Sequence, residues 1–345
     1  MNLTYLENPD DVQYCFQFVN TSCPKVTRPI AIKATLYIFI SFSILISIFG
    51  NLVVIISVLH FKQLQTPTNY LVLSLAFVDF LVGFVVLPYS MIRSIETCWY
   101  FGHMFCKIHS ILDIMLTIVS IYNICFIAVD RYYAISDPFL YSIKITLPVT
   151  IVTVSLIWLF AIFYGFRLIL SDFSKKSLDD YILATTCEGS CIAYAKFEGH
   201  VDALIVFCVP VSIILGIYVK IFFVLKCKHG RVIGNMPSNS NNLEENNTGN
   251  LRKKQQIAVK NQSAIMGIFT FSWLPFYVNN IFDPYFNFLI PTALGDVITW
   301  FGFFNSTLNP ILYAYLYPWY RKTLKLMLSC EVFNSDSATM DFFSE

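Results

Sequence analysis

The most informative shortage in this sequence is a shortage of charge. Charged residues fill only 13% of the 345 positions and hydrophobic residues fill 56%, whereas an ordinary soluble domain is roughly 25% charged. Positive and negative charges nearly cancel, giving a formal net charge of +1, so the composition gives no support for nucleic acid as a partner. A water-facing fold is excluded, and most of the chain is expected to lie in a membrane.

The sequence also lacks the patterns that carry catalysis. HExxH, GxSxG and phosphate-loop patterns are absent, and the five histidines are scattered along the chain. Cys187 and Cys191 enclose Glu-Gly-Ser, which offers the wrong partners for a zinc site, so disulfide bonds are the better interpretation. We therefore expect a protein that is not an enzyme and that requires no cofactor.

What the chain has instead is long apolar runs. Several of them, such as residues 36–59, exceed the roughly 18 residues that cross a bilayer. No basic start with an apolar core precedes the first run, so no cleavable signal peptide is predicted. The expected fold is an all-α membrane protein, a seven-transmembrane helix bundle. The predicted spans are 32–59, 66–94, 104–135, 146–170, 197–225, 254–282 and 291–315.

Lysine and arginine residues orient the bundle. An odd number of spans puts the termini on opposite faces, and the basic loops mark the cytoplasmic side, so the N-terminus is predicted to be extracellular. A short amphipathic helix over residues 318–328 is expected to lie on membrane lipid after the last span, with Cys330 as a palmitoylation site. The predicted parts are an extracellular segment (1–31), the bundle (32–316) with a flexible cytoplasmic loop at about 229–252, and a tail (317–345).

Cysteines and glycosylation sequons gather on the predicted outer side. Among the Asn-x-Ser/Thr matches, only Asn2 and Asn20 lie outside, and both are predicted glycosylation sites. Six cysteines in or beside outer segments indicate an oxidising compartment. They are Cys15, Cys23, Cys98, Cys106, Cys187 and Cys191.

Ionisable residues inside spans are costly, and each is a functional-site hypothesis. Asp113 and Arg131 lie 18 residues apart on the third span, roughly 27 Å along the helix, so Asp113 lies toward the outside. Aromatic residues of the sixth and seventh spans, including Trp273 and Trp300, are available to surround it. A carboxylate in such a pocket can bind an organic cation by a charge-assisted hydrogen bond and cation–π contacts. The alternative is a structural aspartate bonded to a neighbouring helix.

Asp202 lies eight residues before Pro210 on the fifth span, about 12 Å outward along that helix, at a depth similar to that of Asp113. Two carboxylates at matched depth could bind both ends of a dication. Alternatively, Asp202 points into water near the helix mouth, or pairs with His200 or Lys196.

Asp79 lies in the middle of the second span, and the first, third and seventh spans carry polar residues near the same depth, namely Asn51, Ser120, Asn305 and Asn309. Oxygen ligands around one carboxylate suit a sodium ion or a water cluster, and a plain hydrogen-bond network is the alternative. The predicted sodium ligands are Asp79, Ser120, Asn305 and Asn309.

Ordered motifs over nearly the whole chain resemble the rhodopsin-like (class A) G-protein-coupled receptors. The motifs are Gly50-Asn51, Leu75-Ala76-Phe77-Val78-Asp79, Asp130-Arg131-Tyr132, Trp158, Phe271-Ser272-Trp273-Leu274-Pro275 and Asn309-Pro310-Ile311-Leu312-Tyr313. Within that family, residues 305–320 are similar to the fingerprint of trace amine-associated receptors, with Tyr320 where phenylalanine is usual.

The resemblance implies a plasma-membrane amine receptor in which Asp113 binds the ligand amine. Asp202 resembles the aspartate of relatives thought to take diamines or polyamines, such as cadaverine, putrescine or spermine. Phe303 replaces a tyrosine that in aminergic receptors hydrogen-bonds the pocket aspartate. The predicted ligand-binding set is Asp113, Ile114, Asp202, Trp273, Phe276, Tyr277, Trp300 and Phe303.

The resemblance also implies how the receptor signals. A heterotrimeric G protein, expected to be stimulatory, would bind the cytoplasmic side, with arrestin and a receptor kinase as further partners and a role in olfaction. Gln255 replaces a glutamate that holds Arg131 in many relatives, so basal activity is expected. The implied disulfides are Cys106–Cys191 and Cys15–Cys187. The implied activation and coupling residues are Ile121, Asp130, Arg131, Tyr132, Phe139, Pro210, Tyr218, Phe269 and Tyr313.

Two alternative functions remain open. A monoamine receptor would need Asp113 alone. A small-cation transporter would also use intramembrane carboxylates, but it predicts internal repeats and broken helices that the sequence does not contain. Light sensing is excluded because the seventh span has no lysine.

Overall fold

The computed structural model describes residues 13–174, 187–191, 203–234, 242–282, 291–329 and 331. The described helices are α1 Ile30–His60, α2 Pro67–Leu81, α3 Leu87–Glu96, α4 His103–Ser136, α5 Pro138–Lys144, α6 Leu147–Ser174, α7 Val209–Gly234, α8 Asn242–Phe282, α9 Thr292–Leu316 and α10 Pro318–Leu328. The π-helical segment Val82–Val86 joins α2 to α3, and Ala203–Cys208 leads into α7. The predicted all-α helix bundle is confirmed.

Six of the described helical segments are long and apolar enough to cross a membrane, namely α1, α2 with α3, α4, α6, α7 and α8. The seventh, α9, has 25 residues, which gives about 37 Å of helix. Asp296, Asn305 and Asn309 make α9 more polar than the others. The two asparagines are buried, so α9 turns them toward the bundle. On other helices, large apolar side chains such as Ile38 of α1 and Phe163 of α6 are exposed on the outside of the bundle.

Local capping signals set two helix starts at the same end of the bundle. Thr66 accepts a hydrogen bond from the Asn69 backbone N–H at 3.3 Å, and Pro67 occupies the first position of α2. Asp137 likewise accepts from the Leu140 N–H at 3.0 Å at the start of α5. Such caps satisfy N–H groups that have no partner inside the helix.

Close contact between α1 and α9 depends on a small residue. A Cβ atom at Gly50 would collide with the Pro310 ring. Next to it, the Asn51 amide donates to the Ser306 carbonyl of α9 at 3.1 Å. Small residues and interhelical hydrogen bonds are the usual means by which membrane helices associate.

The cytoplasmic loop predicted at about 229–252 is wrong in its extent. Helix α7 continues to Gly234 and α8 begins at Asn242, so most of that range is helical. The Asn- and Ser-rich composition lacks apolar periodicity, but a helix that extends beyond the membrane needs no apolar face for its backbone hydrogen bonds.

The amphipathic helix predicted after the last span is α10. Tyr320, Thr323 and Leu326 form its buried side, whereas Lys325 is exposed. Leu326 packs against Phe61 in the short turn after α1. The helix is therefore attached to the bundle along one face.

The outer disulfides correct one predicted pairing. Cys106–Cys191 forms as expected, but the predicted Cys15–Cys187 bond is wrong, because Cys15 bonds to Cys98 and Cys23 bonds to Cys187. Tyr14 and Pro24 pair as an antiparallel bridge, which puts the two N-terminal cysteines side by side. The Cys23 N–H donates to the Glu188 carbonyl at 2.9 Å, so Cys23 rather than Cys15 is adjacent to Cys187.

Charges fasten the same N-terminal segment to the bundle. Glu96, at the end of α3, accepts hydrogen bonds from Lys33 at 2.7 Å and from the Tyr37 hydroxyl at 3.2 Å, and pairs with Lys25 at 3.0 Å. Burial by itself lowers the pKa of Lys25, but hydrogen bonds with Tyr100 and Glu96 outweigh burial and raise it above its ordinary value. Residues 13–29 are thus held in place over the outer end of the bundle.

Candidate functional site

Asp113 lies in a cleft in the outer half of the bundle, between α4, α8, α9 and the segment Ala203–Cys208 that leads into α7. The cleft has a volume of about 590 Å³ including the part open to solvent, within the range of small-molecule sites. Its lining is mainly apolar, with few polar groups. The lining residues are Asp113, Ile114, Thr117, Ala203, Val206, Trp273, Phe276, Tyr277, Asn280, Thr299 and Phe303.

The Asp113 carboxylate has an unused acceptor. Its Oδ1 atom is buried, and among the described residues no donor lies within hydrogen-bond distance of it. A buried acceptor without a partner is costly, and native proteins satisfy nearly all such groups. The arrangement is suited to a ligand that brings its own positively charged donor.

Aromatic rings form the wall opposite Asp113. The Trp273 ring lies edge-on to Phe276 at 5.5 Å and to Phe303 at 6.3 Å between centroids. Tyr277 stacks on Phe207 of the segment before α7 at 4.3 Å. Faces of such rings attract cations through their quadrupoles. The aromatic wall can therefore contact and stabilise a cation bound at Asp113, and it contributes no formal charge of its own.

The structure brings together six of the eight predicted ligand-binding residues. Trp300 is the exception within the described residues, since it does not line the cleft. Its indole N–H donates to the Ser94 hydroxyl at 3.1 Å, and its ring packs behind Phe303. Asp202 lies outside the described residues, and Ala203, its neighbour in sequence, lines the cleft.

Three polar lining residues were missed by the sequence-based prediction: Thr117, Asn280 and Thr299. Each lies four residues from a predicted site residue, respectively Asp113, Phe276 and Phe303. Residues four apart share one helix face, so helical spacing could have identified all three. The lining residues Ala203 and Val206 carry no comparable signal, because small apolar side chains are common throughout the spans.

Asp79 is buried at the centre of a polar network. Its Oδ1 accepts from the Ser306 hydroxyl and its Oδ2 from the Asn309 amide, each at 2.7 Å. Ser306 was not predicted, while Ser120 and Asn305 are buried without a hydrogen bond to Asp79. The side-chain oxygens of Asn305 and Asn309 have no partner among the described residues. Unused oxygens with a carboxylate fit a small hard cation such as sodium.

A second network surrounds Arg131 near the C-terminal end of α4. The Arg131 Nε–H donates to Asp130 Oδ2 at 2.9 Å, and its Nη2 also contacts Thr68. Thr68 and Tyr141 hydroxyls donate to the two Asp130 oxygens at 2.8 and 3.1 Å. Asp130 is therefore fully satisfied and holds Arg131 against its own helix. The predicted pair is present, and Thr68 and Tyr141 extend it.

The remaining predicted activation residues differ in how deeply they are buried. Ile121 and Phe269 are fully buried in one core cluster. Phe139, in contrast, is 86% exposed on α5. Pro210 is buried, Tyr132 and Tyr218 are half-buried, and Tyr313 is buried. Their roles stay predictions, as does that of Gln255, whose side chain lies outside the described residues. Asn20 is exposed in a turn, whereas Asn2 and Cys330 are not among the described residues.

Comparison with known proteins agrees with the fold and the motifs. Residues 50–313 match the 7 transmembrane receptor (rhodopsin family) model. Trace amine-associated receptor 4 of Mus musculus is 44% identical over 330 residues, 95% of each chain. Trace amine-associated receptor 13c of Danio rerio is 43% identical over 97% of each chain. Trace amine-associated receptor 2 of Homo sapiens is 42% identical over 93% of this chain and 89% of its own.

The seven-helix bundle with its outer cleft is thus that of a rhodopsin-family receptor, a multi-pass membrane protein and not an enzyme. Within that class, the chain belongs to the trace amine-associated receptors, a family of G-protein-coupled receptors.

Proposed function

We propose that this receptor detects amines at the cell surface and signals through a heterotrimeric G protein. The observation that carries the proposal is the buried, unpartnered Oδ1 of Asp113 in an aromatic-walled cleft. Family membership removes the transporter alternative. It also gives the cleft a receptor role, because the related chains are named for trace amines.

An ammonium ion in the cleft would satisfy Asp113 by donating a charge-assisted hydrogen bond to it. Such bonds are stronger than those between neutral groups. Trp273, Phe276 and Tyr277 would surround the ligand's carbon chain and the remaining ammonium hydrogens. The apolar lining keeps competing water low, which strengthens the ion pair. The ligand class is therefore a primary amine with an apolar chain.

A second carboxylate would make diamines or polyamines the preferred ligands. Asp202 precedes Ala203, a residue of the cleft lining, so the fifth span supplies a carboxylate next in sequence to the site. Cadaverine, putrescine and spermine-like molecules carry two or more ammonium groups on a flexible chain. In this proposal Asp113 binds one ammonium and Asp202 binds another. The competing candidate is a monoamine receptor that uses Asp113 alone.

A cyclic-nucleotide reporter assay tests both statements. Cells expressing wild type, Asp113→Ala or Asp202→Ala are given cadaverine or pentylamine, a monoamine of similar length. Loss of both responses in Asp113→Ala supports the amine site. Loss of the cadaverine response alone in Asp202→Ala supports the diamine proposal, and an unchanged cadaverine response in that variant contradicts it. Surface labelling of each variant controls for expression.

Signalling would proceed by a shift between two arrangements of the bundle. Agonist contact would move Trp273 and the neighbouring Pro210, Ile121 and Phe269, so that α8 swings outward at its cytoplasmic end. Tyr218 and Tyr313 would then move inward and open a cavity for the G protein, with exposed Phe139 as its apolar contact. The agonist acts because it binds the open arrangement better.

The remaining features of the proposal follow from the family. The receptor would reside in the plasma membrane with an extracellular N-terminus glycosylated at Asn2 and Asn20, and with Cys330 palmitoylated. A stimulatory G protein, arrestin and a receptor kinase would be its partners, and olfaction its setting. Sodium at Asp79 would stabilise the inactive arrangement, and the unused oxygens of Asn305 and Asn309 support this.

A further inference from the structure

The N-terminal segment carries an apolar tip at the outer end of the molecule. Its turn lies between Cys15 and Cys23, which are joined by the Cys15 N–H donating to the Cys23 carbonyl at 2.9 Å. Within the turn, 98% of the Phe18 side chain is exposed, and its neighbour Val19 is 41% exposed. An aromatic ring left in water forgoes the stabilisation that burial would give. The tip is therefore a surface that a partner could cover.

Hydrogen bonds hold the turn in one conformation. The Phe16 N–H donates to the Ser22 hydroxyl at 2.8 Å, and the Ser22 N–H donates to the Val19 carbonyl at 3.0 Å. The Glu188 N–H donates to the Thr21 carbonyl at 2.8 Å, which fastens the turn to the segment that contains Cys187. A partner of the tip would thus bind a surface that is already ordered, and binding to such a surface costs little conformational entropy.

The two phenylalanines of the turn differ in their surroundings. Phe16 is half-buried and packs edge-on against Tyr100, with ring centroids 6.0 Å apart. Phe18 makes no ring contact with any of the described residues. Phe16 therefore already has a partner within the fold, whereas the ring of Phe18 is accessible to a group attached nearby.

A glycosylation sequon begins two residues after Phe18. It consists of Asn20-Thr21-Ser22, and Asn20 is exposed in the turn. Two residues of chain span at most about 7 Å, so a sugar on the Asn20 amide is attached close to the Phe18 ring. One face of N-acetylglucosamine presents mainly C–H groups, whose slight positive charge suits the negative face of an aromatic ring. Covalent attachment keeps the sugar at a high effective concentration beside the ring.

We propose that the Phe18 ring binds the first N-acetylglucosamine of an N-linked glycan on Asn20, and that this contact stabilises the turn between Cys15 and Cys23. The inference rests on the proposed glycosylation of Asn20 and gives that glycan a structural role. The first sugar is the occupant, because it alone is bonded directly to Asn20. Since the turn is hydrogen-bonded to Glu188, the glycan also supports the outer segment around that residue.

Hydrogen exchange in residues 13–26 of the full-length receptor tests the contact. The receptor is produced in cells that make high-mannose glycans, in an Asn2→Gln background that leaves Asn20 as the remaining predicted outer site. Endoglycosidase H trims the glycan to a single N-acetylglucosamine, and Asn20→Gln removes the sugar altogether. We expect the trimmed form to exchange as slowly as the fully glycosylated form, and about fivefold more slowly than Asn20→Gln, the scale of one aromatic contact.

Phe18→Ala tests whether the ring is responsible. In that variant the sugar should change the exchange rate by less than about twofold, as a double-mutant cycle requires for two groups in contact. Val19→Ala is the matched control, because Val19 is the other exposed apolar residue of the tip, and it should retain the full effect of the sugar. Ser22→Ala is not used to remove the sugar, since the Ser22 hydroxyl also accepts from the Phe16 N–H. Exchange in α4 of the same samples controls for folding of the bundle.

The outcomes distinguish a sugar contact from other uses of the ring. The inference is wrong if the sugar slows exchange equally with and without Phe18, because the glycan would then shield the turn without the ring. It is also wrong if Phe18→Ala accelerates exchange equally with and without the sugar, because the ring would then pack against another occupant, such as lipid or detergent. Equal masses of the untrimmed receptor and Asn20→Gln would instead refute the proposed glycosylation on which the inference depends.

Discussion

At the scale of single residues, the main feature of the cleft is Asp113 Oδ1, a buried acceptor without a hydrogen-bond donor among the described residues. Phe303 is part of this, because it lines the cleft with Asp113 and has no hydroxyl to offer. In aminergic receptors that this chain resembles, a tyrosine at the matching position hydrogen-bonds the aspartate. Because Phe303 has no such hydroxyl, we expect the bound ligand to fix the orientation of the Asp113 side chain.

Phe303→Tyr should therefore strengthen monoamine binding. The added hydroxyl would donate to the unpartnered carboxylate oxygen and hold it in one orientation before the ligand arrives. We expect a three- to tenfold gain in pentylamine potency, roughly the net value of one hydrogen bond. Concentration–response curves for Phe303→Tyr and wild type measure it, and an unchanged or weaker potency would show that Asp113 is already oriented.

Gly50 illustrates a residue whose importance is steric. Gly50→Ala would press a methyl group into Pro310, and overpacking of this kind costs about 1–3 kcal/mol. Gly267→Ala is the matched control, since nothing lies within 4 Å of its added Cβ. Thermal unfolding of the detergent-solubilised receptor should show a lower Tm for Gly50→Ala only. Equal Tm values would mean that α1 and α9 can separate without cost.

At the scale of elements, short helix α5 depends on its cap. Asp137 satisfies the Leu140 N–H, and loss of an N-cap typically costs about 1 kcal/mol. Asp137→Ala should fray α5 and reduce G-protein activation, and Phe139→Ala should reduce it more by removing the exposed ring. Agonist affinity in membranes without G protein should be unchanged in both. A loss of affinity there would place the defect in the bundle rather than in coupling.

The outer disulfides can be tested as pairs. Cys15→Ser and Cys98→Ser each remove the same bond, so the double variant should be no less stable than either single variant. Closing a loop of 83 residues in sequence separation is worth about 4.5 kcal/mol in the chain-entropy model. Cys15→Ser with Cys187→Ser breaks two bonds and should lose more. A non-additive Cys15 and Cys187 pair in Tm measurements would instead support the pairing expected from resemblance.

At the scale of the whole molecule, the proposed signalling mechanism uses two arrangements of the bundle, and we expect the Arg131 network to act as a lock on one of them. Tyr141 and Thr68 reinforce Asp130, which holds Arg131. The family resemblance implies that Gln255 on the sixth span replaces a glutamate that holds this arginine in many relatives. The lock in the described structure therefore lies between α2, α4 and α5.

Tyr141→Phe should raise basal signalling. It removes one hydrogen bond to Asp130, and bonds to charged groups contribute about 1.5–3 kcal/mol, enough to increase a minor active population several-fold. Tyr133→Phe is the control, since no hydrogen bond of that hydroxyl is seen among the described residues. The measurement is the cyclic-nucleotide level without agonist, compared at matched surface expression. Equal basal levels in both variants would show that Tyr141 does not contribute to the lock.

Sequence by itself determined the helix bundle, the approximate positions of its spans and the candidate functional residues. The length of an apolar run is a local property of the sequence, so the spans could be predicted from it. Charged residues inside a span are equally visible in the sequence, so Asp113, Asp79 and the Asp130-Arg131 pair could be identified directly. The motif order identified the family, because those residues keep their order in the chain.

Only the tertiary structure decided which distant residues meet. The pairing of Cys15 with Cys98 depends on how residues 14–24 fold back beside Glu188. The withdrawal of Trp300 to Ser94 depends on how α9 is rotated against α3. Contacts between helices are set by side-chain packing across the bundle, and composition along one helix does not specify the partner on another.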